Sequence, residues 1–222
     1  MGRESKRVSA SGEQQVDAVI LDLGNVLVLH DNEQLFRTFG KYAGLSGDAV
    51  ARLVPSALWS SIHLGKLDEE GIRREICGAL KVEMDRVEFE RVWNSHFTVN
   101  QSILPWVESL LGRVKLLLLS NTNAIHMRYL RGELPVLRRF DALVLSYELG
   151  LMKPDPAIYK EALRRAGSTP ARTAFFDDLP EYVEAAKQVG IRAYVLQSVE
   201  QFASQLEALG LLRRPAGSES NR

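Results

Sequence analysis

The sequence predicts an α/β fold: a doubly wound, Rossmann-like parallel sheet with an inserted helical cap. Three observations carry this. Short apolar runs alternate with amphipathic stretches of helical period. The alternation breaks off over residues 32–100, where helical pattern persists and no strand pattern is evident. The polar residues suited to chemistry fall at the carboxyl ends of the apolar runs, the edge where open parallel sheets keep their ligand crevice.

The runs at 18–23, 114–119, 142–145, 173–176 and 193–196 are short and rich in Val, Leu, Ile, Ala and Phe. Strands buried on both faces read this way. Helical stretches lie between them at 103–111, from about Ala124 onward, at 157–166 and at 182–189. Several are opened by Ser, Asn or Pro and closed by Gly, the ordinary start and stop signals. Strands alternating with helices imply right-handed crossovers and a parallel sheet. Over 32–100 four amphipathic stretches, 33–43, 48–58, 68–80 and 87–97, form an insert. It leaves just after the first strand and returns to the sheet afterwards, which places it over the crevice as a cap. The expected organisation is therefore an α/β core of 16–31 and 101–212, with a cap of 32–100.

Composition bounds the function. Of 222 residues, 45% are hydrophobic and 25% charged, which excludes a collagen-like, mucin-like or wholly disordered chain. Lys plus Arg at 28 balances Asp plus Glu at 28, so there is no global basic field for nucleic acid or an anionic membrane. The longest apolar stretch, 114–119, is too short to span a bilayer. A single cysteine, Cys77, forms no internal disulfide, no Cys/His cluster offers a zinc site, and the cytoplasm fits best. Residues 1–15 are polar with no apolar h-region and read as a disordered tail rather than a secretory signal. Residues 213–222 read as a second solvated tail.

The strand ends carry a short inventory: Asp22 with Gly24 and Asn25, Ser120 with Asn121, and Asp177 with Asp178. Lys153 opens the helix after the third run of the core, where its ammonium would point into the same crevice. A carboxylate at the end of a central strand is costly to bury unless a cation or several donors face it. Three neighbouring aspartates repel one another, and a divalent cation with hard oxygen ligands resolves such a cluster. Each residue alone has an ordinary reading too: Asp22 and Asp177 as helix caps, Ser120 and Asn121 as the lead-in to a helix capped by Asn123, Lys153 as a solvated lysine. Ser120 and Asn121 also stand where a helix start offers N–H groups to a phosphate. The convergence favours the shared site.

Four motifs in order, ILDLGNVL, LLLLSNTN, GLMKPDPAIY and AFFDDLPEYVEAA, together resemble the haloacid dehalogenase-like superfamily, and the resemblance extends over the whole ordered chain. It implies a phosphatase acting on a small phosphorylated metabolite, such as a sugar phosphate. Asp22 would be the nucleophile that becomes an aspartyl phosphate and also a magnesium ligand. Magnesium (Mg2+) would be held by Asp22, the backbone carbonyl of Gly24 and Asp178, with Asp177 joining them or acting from behind. Lys153 would neutralise Asp22 and the phosphoryl oxygens, and Ser120 with the Asn121 amide would bind the phosphoryl group.

One residue departs from the pattern. Phosphatases of this superfamily carry an aspartate two positions after the nucleophile as general acid, and here that position is Gly24. Losing general acid catalysis forfeits about 10² to 10⁴ in rate. Two further readings follow: a non-catalytic phospholigand-binding or regulatory protein, and a haloacid dehalogenase, against which the Asp177–Asp178 pair argues. His30 and Asp31 are candidates to supply the missing proton or shape specificity, or else simply cap the first insert helix. Trp59 and His63, four residues apart and so on one helical face, either line the substrate pocket or pack the insert's core, as do Trp93, His96 and Phe97.

Overall fold

The computed structural model describes residues 15–212; the tails expected at 1–15 and 213–222 lie, Gln15 apart, outside the described residues. The chain begins with strand β1 (Ala18–Leu21), turns through a tight loop into β2 (Val28–His30), and then runs through five helices. These are α1 (Asn32–Ala43), α2 (Gly47–Leu53), α3 (Ser56–His63), α4 (Glu69–Leu80) and α5 (Arg86–Trp93). It returns as β3 (Phe97–Val99) and continues with α6 (Leu104–Leu110), β4 (Lys115–Ser120), α7 (Ala124–Glu133), β5 (Ala142–Leu145) and the short α8 (Ser146–Leu149). The remainder is α9 (Pro156–Ala166), β6 (Thr173–Asp177), α10 (Pro180–Gln188), β7 (Arg192–Val195) and α11 (Val199–Ala208).

Five strands form one parallel sheet in the order β5-β4-β1-β6-β7. The chain winds outward from central β1 in both directions, as the alternating pattern predicts, so the order reverses beside β1 and its carboxyl end opens on the crevice. Because side chains alternate along a strand, β1 feeds two cores. Val19 and Leu21 pack with Leu116, Leu118, Val107, Met127 and Phe202 on one face. Ala18 and Ile20 pack with Leu117, Phe175, Ile158, Tyr159 and Ala186 on the other. Continuous apolar strands are the sequence's answer to a sheet covered by helices on both sides.

The helices α1–α5 have a core of their own, built on Leu35, Phe39, Ile62, Ile72, Phe89 and Trp93, to which Ile125 of α7 adds a contact from the sheet side. Their caps follow the sequence: Asp31, Ser46, Asp68 and Asp85 each accept a backbone N–H from the first turn. The structure also differs from the pattern. The stretch at 48–58 is two helices, broken at Val54-Pro55, because proline cannot continue the hydrogen-bond ladder. The stretch at 87–97 ends as a helix at Trp93, and Phe97–Val99 pairs antiparallel with Val28–His30. This two-stranded ribbon is where the helical segment joins the sheet.

No helix among the described residues is long and apolar enough to cross a membrane.

Candidate active site

The loop after β1 sets the geometry. Asp22 continues the sheet by donating its N–H to the Phe176 carbonyl (3.0 Å). The chain then doubles back: Val28 N–H bonds the Leu23 carbonyl (3.0 Å) and Asn25 N–H bonds the Val28 carbonyl (2.6 Å), with Asn25 left-handed at φ 51°. Asn25 thereby faces the crevice, where its side-chain amide donates to Asp178 Oδ2 (2.8 Å) and lies 3.3 Å from His30 Nε2.

Lys153 is 1% exposed and lies between two carboxylates, with Nζ 2.7 Å from Asp22 Oδ1 and 2.5 Å from Asp177 Oδ2. Asn121 fixes its backbone from both sides, accepting the Lys153 N–H (2.8 Å) and donating to its carbonyl (2.9 Å). The Tyr182 ring lies 4.9 Å from the ammonium, a cation–π contact. Burial lowers the basicity of Lys153, but its two carboxylate partners outweigh that and hold it protonated. Burial pushes the Asp22 carboxyl up and Asp177 adds to this, while Lys153 opposes both. The centre therefore holds more negative charge than one lysine balances.

Carboxylate oxygens of Asp22, Asp177 and Asp178 lie within 4.8 Å of one another. These are hard oxygen donors at the spacing a small divalent cation bridges, and the excess negative charge gives such an ion a reason to bind. The three are not equivalent. Asp177 is fully buried and spends one oxygen on Lys153 and the other on the Leu179 N–H (2.9 Å), so it holds the lysine. Asp22 and Asp178 line the open cavity.

That cavity has a volume of about 480 Å³. Its floor is Asp22, Gly24, Ser120, Asn121, Lys153 and Asp178. Ser120 ends β4 and α7 begins at Ala124, capped by Asn123, whose side chain accepts the His126 N–H (3.0 Å). Thr122 between them is clasped by the Ser146 hydroxyl, which accepts its N–H (3.0 Å). The loop from Ser120 to the helix start is thus rigid and turned toward the cavity.

The opposite wall comes from the helical segment and the ribbon: Leu35, Phe36, Trp59, His63, His96 and Phe97. Trp59 stacks on buried Trp93 (centroids 5.2 Å apart, planes 11°), which in turn stacks on His126 (5.2 Å, 23°). Trp59 and His63 both reach the cavity, whereas Trp93 packs behind them. All four histidines of the chain, His30, His63, His96 and His126, line this one space. Burial pushes His63 and His96 down to about 4, His30 adding to the effect on His96, and pushes His126 well below its usual range. His126 sits between the Asn123 side chain (3.0 Å) and the Trp93 carbonyl (3.3 Å), which suits a neutral ring tying α7 to α5.

The structure gathers Asp22, Gly24, Ser120, Asn121, Lys153, Asp178, His30, Trp59 and His63 around the cavity, with Asp177 directly behind. Asp31 is not among them: it is the N-cap of α1, bonded to the Gln34 N–H (2.9 Å) and paired with Arg37 on the surface. Asn25, grouped by the sequence with Asp22 and Gly24 at the first strand end, also lines the cavity, whereas His126 and Tyr182 were missed. Both stand in the first turn of a helix, α7 and α10, where nothing in the local pattern marks them as facing the crevice.

A profile of haloacid dehalogenase-like hydrolases matches residues 16–190. The D-ribitol-5-phosphate phosphatase of Bacteroides thetaiotaomicron is 26% identical over 202 residues, covering 86% of this chain and 97% of its own. The phosphorylated carbohydrates phosphatase of Thermotoga maritima is 30% identical over 208 residues, covering 87% and 91%. Among solved structures, a HAD family enzyme from Bacteroides thetaiotaomicron, in complex with magnesium and inorganic phosphate, superposes with a TM-score of 0.76. It is 25% identical, with 82% of this chain and 94% of that one covered.

Proposed function

The chain belongs to the haloacid dehalogenase-like hydrolase family, and from that premise we propose a magnesium-dependent phosphatase that hydrolyses a small phosphorylated polyol or sugar through an aspartyl-phosphate intermediate. The observation that carries this reading is the convergence of Asp22, Lys153, Ser120 and Asp178 on the floor of one cavity. Asp22 Oδ1 is held by Lys153, which leaves Oδ2 to attack phosphorus in line. Lys153 balances the charge on Asp22 and on the phosphoryl oxygens, and Ser120 donates its hydroxyl to one of them. Asn121 keeps Lys153 in place through its backbone. Asp22 and Asp178, with Asp177 behind, would hold the ion, which when bound shields the negative charge between nucleophile and phosphate.

The far wall supports the substrate class. Among the residues that line it, from Leu35 to Phe97, none carries a formal charge, and its imidazoles are neutral near pH 7. Indole and imidazole faces against a phosphate-binding floor suit an uncharged hydroxylated group, and give a carboxylate no cationic partner. Residues 32–100 act as the cap over a core of 16–31 and 101–212, and close water out of the cavity. The lone cysteine, Cys77, is buried and unpaired, which suits a reducing cytoplasm.

Gly24 favours one competing reading, a phospholigand-binding protein that lacks the proton donor for turnover. Phosphate release from ribitol, glucose and para-nitrophenyl phosphates, with and without magnesium, separates the two. Magnesium-dependent release from a polyol or sugar phosphate supports the enzyme; binding of these esters without release from any of them supports the competitor.

A further inference from the structure

If Asp22 attacks phosphorus, the departing oxygen of an alkyl phosphate needs a proton, and Gly24 has none to give. The other titratable groups in the cavity are committed. Lys153 bridges Asp22 and Asp177; Asp178 accepts from Asn25; His126 is fixed between Asn123 and Trp93. The Tyr182 hydroxyl bonds Asn121 (3.3 Å). His63 stands four residues from Trp59 on the far wall, and His96 is buried against Phe97 (4.1 Å between centroids). His30 is different. A Cβ placed on Gly24 would lie 3.0 Å from His30 Cδ2 and 3.1 Å from its Nε2, so the imidazole fills the space a side chain at position 24 would take. The same point is 3.9 Å from Asp22 Oδ2, which puts Nε2 and that oxygen at most about 7 Å apart. In-line transfer spans roughly 4 Å across phosphorus plus one hydrogen bond of about 2.8 Å, so this bound leaves room for both atoms to reach one phosphoryl group. Asn25 donates from Nδ2 to Asp178 and accepts the His30 backbone N–H on Oδ1 (3.4 Å), which holds residue 30 beside the cluster.

We propose that His30 is the proton donor and acceptor of this site, occupying the room vacated by the glycine at position 24. This rests on the phosphatase reading above. In the first half-reaction Asp22 Oδ2 forms a bond to phosphorus, the P–O ester bond breaks with its electron pair on the leaving oxygen, and the His30 imidazolium gives that oxygen its Nε2 proton. An alcohol and neutral His30 result. In the second, Nε2 takes a proton from water as its oxygen attacks phosphorus, and the P–O bond to Asp22 returns its pair to the carboxylate. The sum is ester plus water giving alcohol plus inorganic phosphate, with His30 protonated again.

The test compares an alkyl ester, ribitol 5-phosphate, with para-nitrophenyl phosphate, whose leaving group departs without a proton, for wild type, His30→Ala, Gly24→Asp and the double variant, each checked for its fold by circular dichroism. His30→Ala should lower kcat for the alkyl ester about 10² to 10⁴-fold and for the nitrophenyl ester less than about tenfold, with KM little changed. Gly24→Asp alone should be impaired, because the new side chain meets the His30 ring, and Gly24→Asp with His30→Ala should regain much of the alkyl-ester activity. Equal losses on both esters, no loss at all, or a double variant no better than His30→Ala would overturn the assignment. Wild type inert toward both esters would sink the phosphatase reading itself, and this assignment with it.

Discussion

The side-chain amide of Asn121 bonds both the backbone N–H and the backbone carbonyl of Lys153, at 2.8 and 2.9 Å. A residue at the end of β4 thereby sets the position of a lysine that lies 32 residues further along the chain. Asn121→Ala removes both bonds and lets Lys153 shift relative to Asp22. Displacements near 1 Å cost on the order of 10²-fold in catalysis, so kcat should fall by about 10- to 100-fold. Steady-state kinetics with a phosphate ester measures this, and unchanged kcat would show that Lys153 is positioned by its ion pairs alone.

Lys153 is also structural. Replacing it with methionine leaves the Asp22 and Asp177 carboxylates buried beside each other without their cation. Breaking a buried ion pair from one side costs about 3–5 kcal/mol, so the denaturant midpoint of Lys153→Met should drop sharply in magnesium-free buffer. Adding Asp177→Asn should recover part of the loss, since the pair interact.

Gly65 makes a contact a larger residue cannot. Its φ is +66°, and a Cβ there would lie 2.1 Å from the Tyr147 carbonyl oxygen of α8. Gly65→Ala meets both backbone strain and a steric clash at the junction between the helical segment and the sheet. A cost of about 2 kcal/mol or more is expected, read as a Tm lowered by roughly 5 °C.

The histidines contribute to the pH dependence of stability with a definite sign. His63, His96 and His126 have folded-state pKa values pushed below 6.5 by burial, to about 4 for the first two. Above the unfolded value of about 6.5 the ring is neutral in both states and nothing changes. Below it the unfolded chain takes up protons that the folded chain refuses, so stability is lost progressively from about pH 6.5 toward pH 4. Each of the two should cost on the order of 1 kcal/mol by about pH 5.5. The Asp22 carboxyl, pushed up to about 7, acts in the opposite direction over the same range, so the check is a comparison: chemical denaturation of wild type and His63→Gln at pH 7.5 and 5.5, the variant losing less stability on acidification by roughly that share.

Much of this was legible in the sequence, for identifiable reasons. A strand buried on both faces must be apolar throughout, so β1, β4, β5, β6 and β7 stood out as short runs, with bounds shifted by at most two residues. The strand ends carry the site because the fold makes them the mouth of the crevice, and Asp22, Ser120 and Asp178 could be placed on it from order alone. The ribbon of β2 and β3 was not visible, since three partly exposed residues such as Phe97–Val99 make no pattern of period two. Nor was the gathering of four histidines: they come from β2, α3, the α5–β3 turn and α7, and only tertiary packing brings those elements together. Asp31 is the reverse case, a polar residue beside the site in sequence whose capping bond turns it to the surface.

The central claim is that Asp22 is the nucleophile of a magnesium-dependent phosphatase. Phosphate release from ribitol 5-phosphate and para-nitrophenyl phosphate by wild type and Asp22→Asn, each with magnesium and with a chelator, tests it most directly. Release by wild type in magnesium alone, with none from Asp22→Asn under any condition, is the predicted result. Release that persists in Asp22→Asn or in the chelator, or no release from wild type, would contradict it.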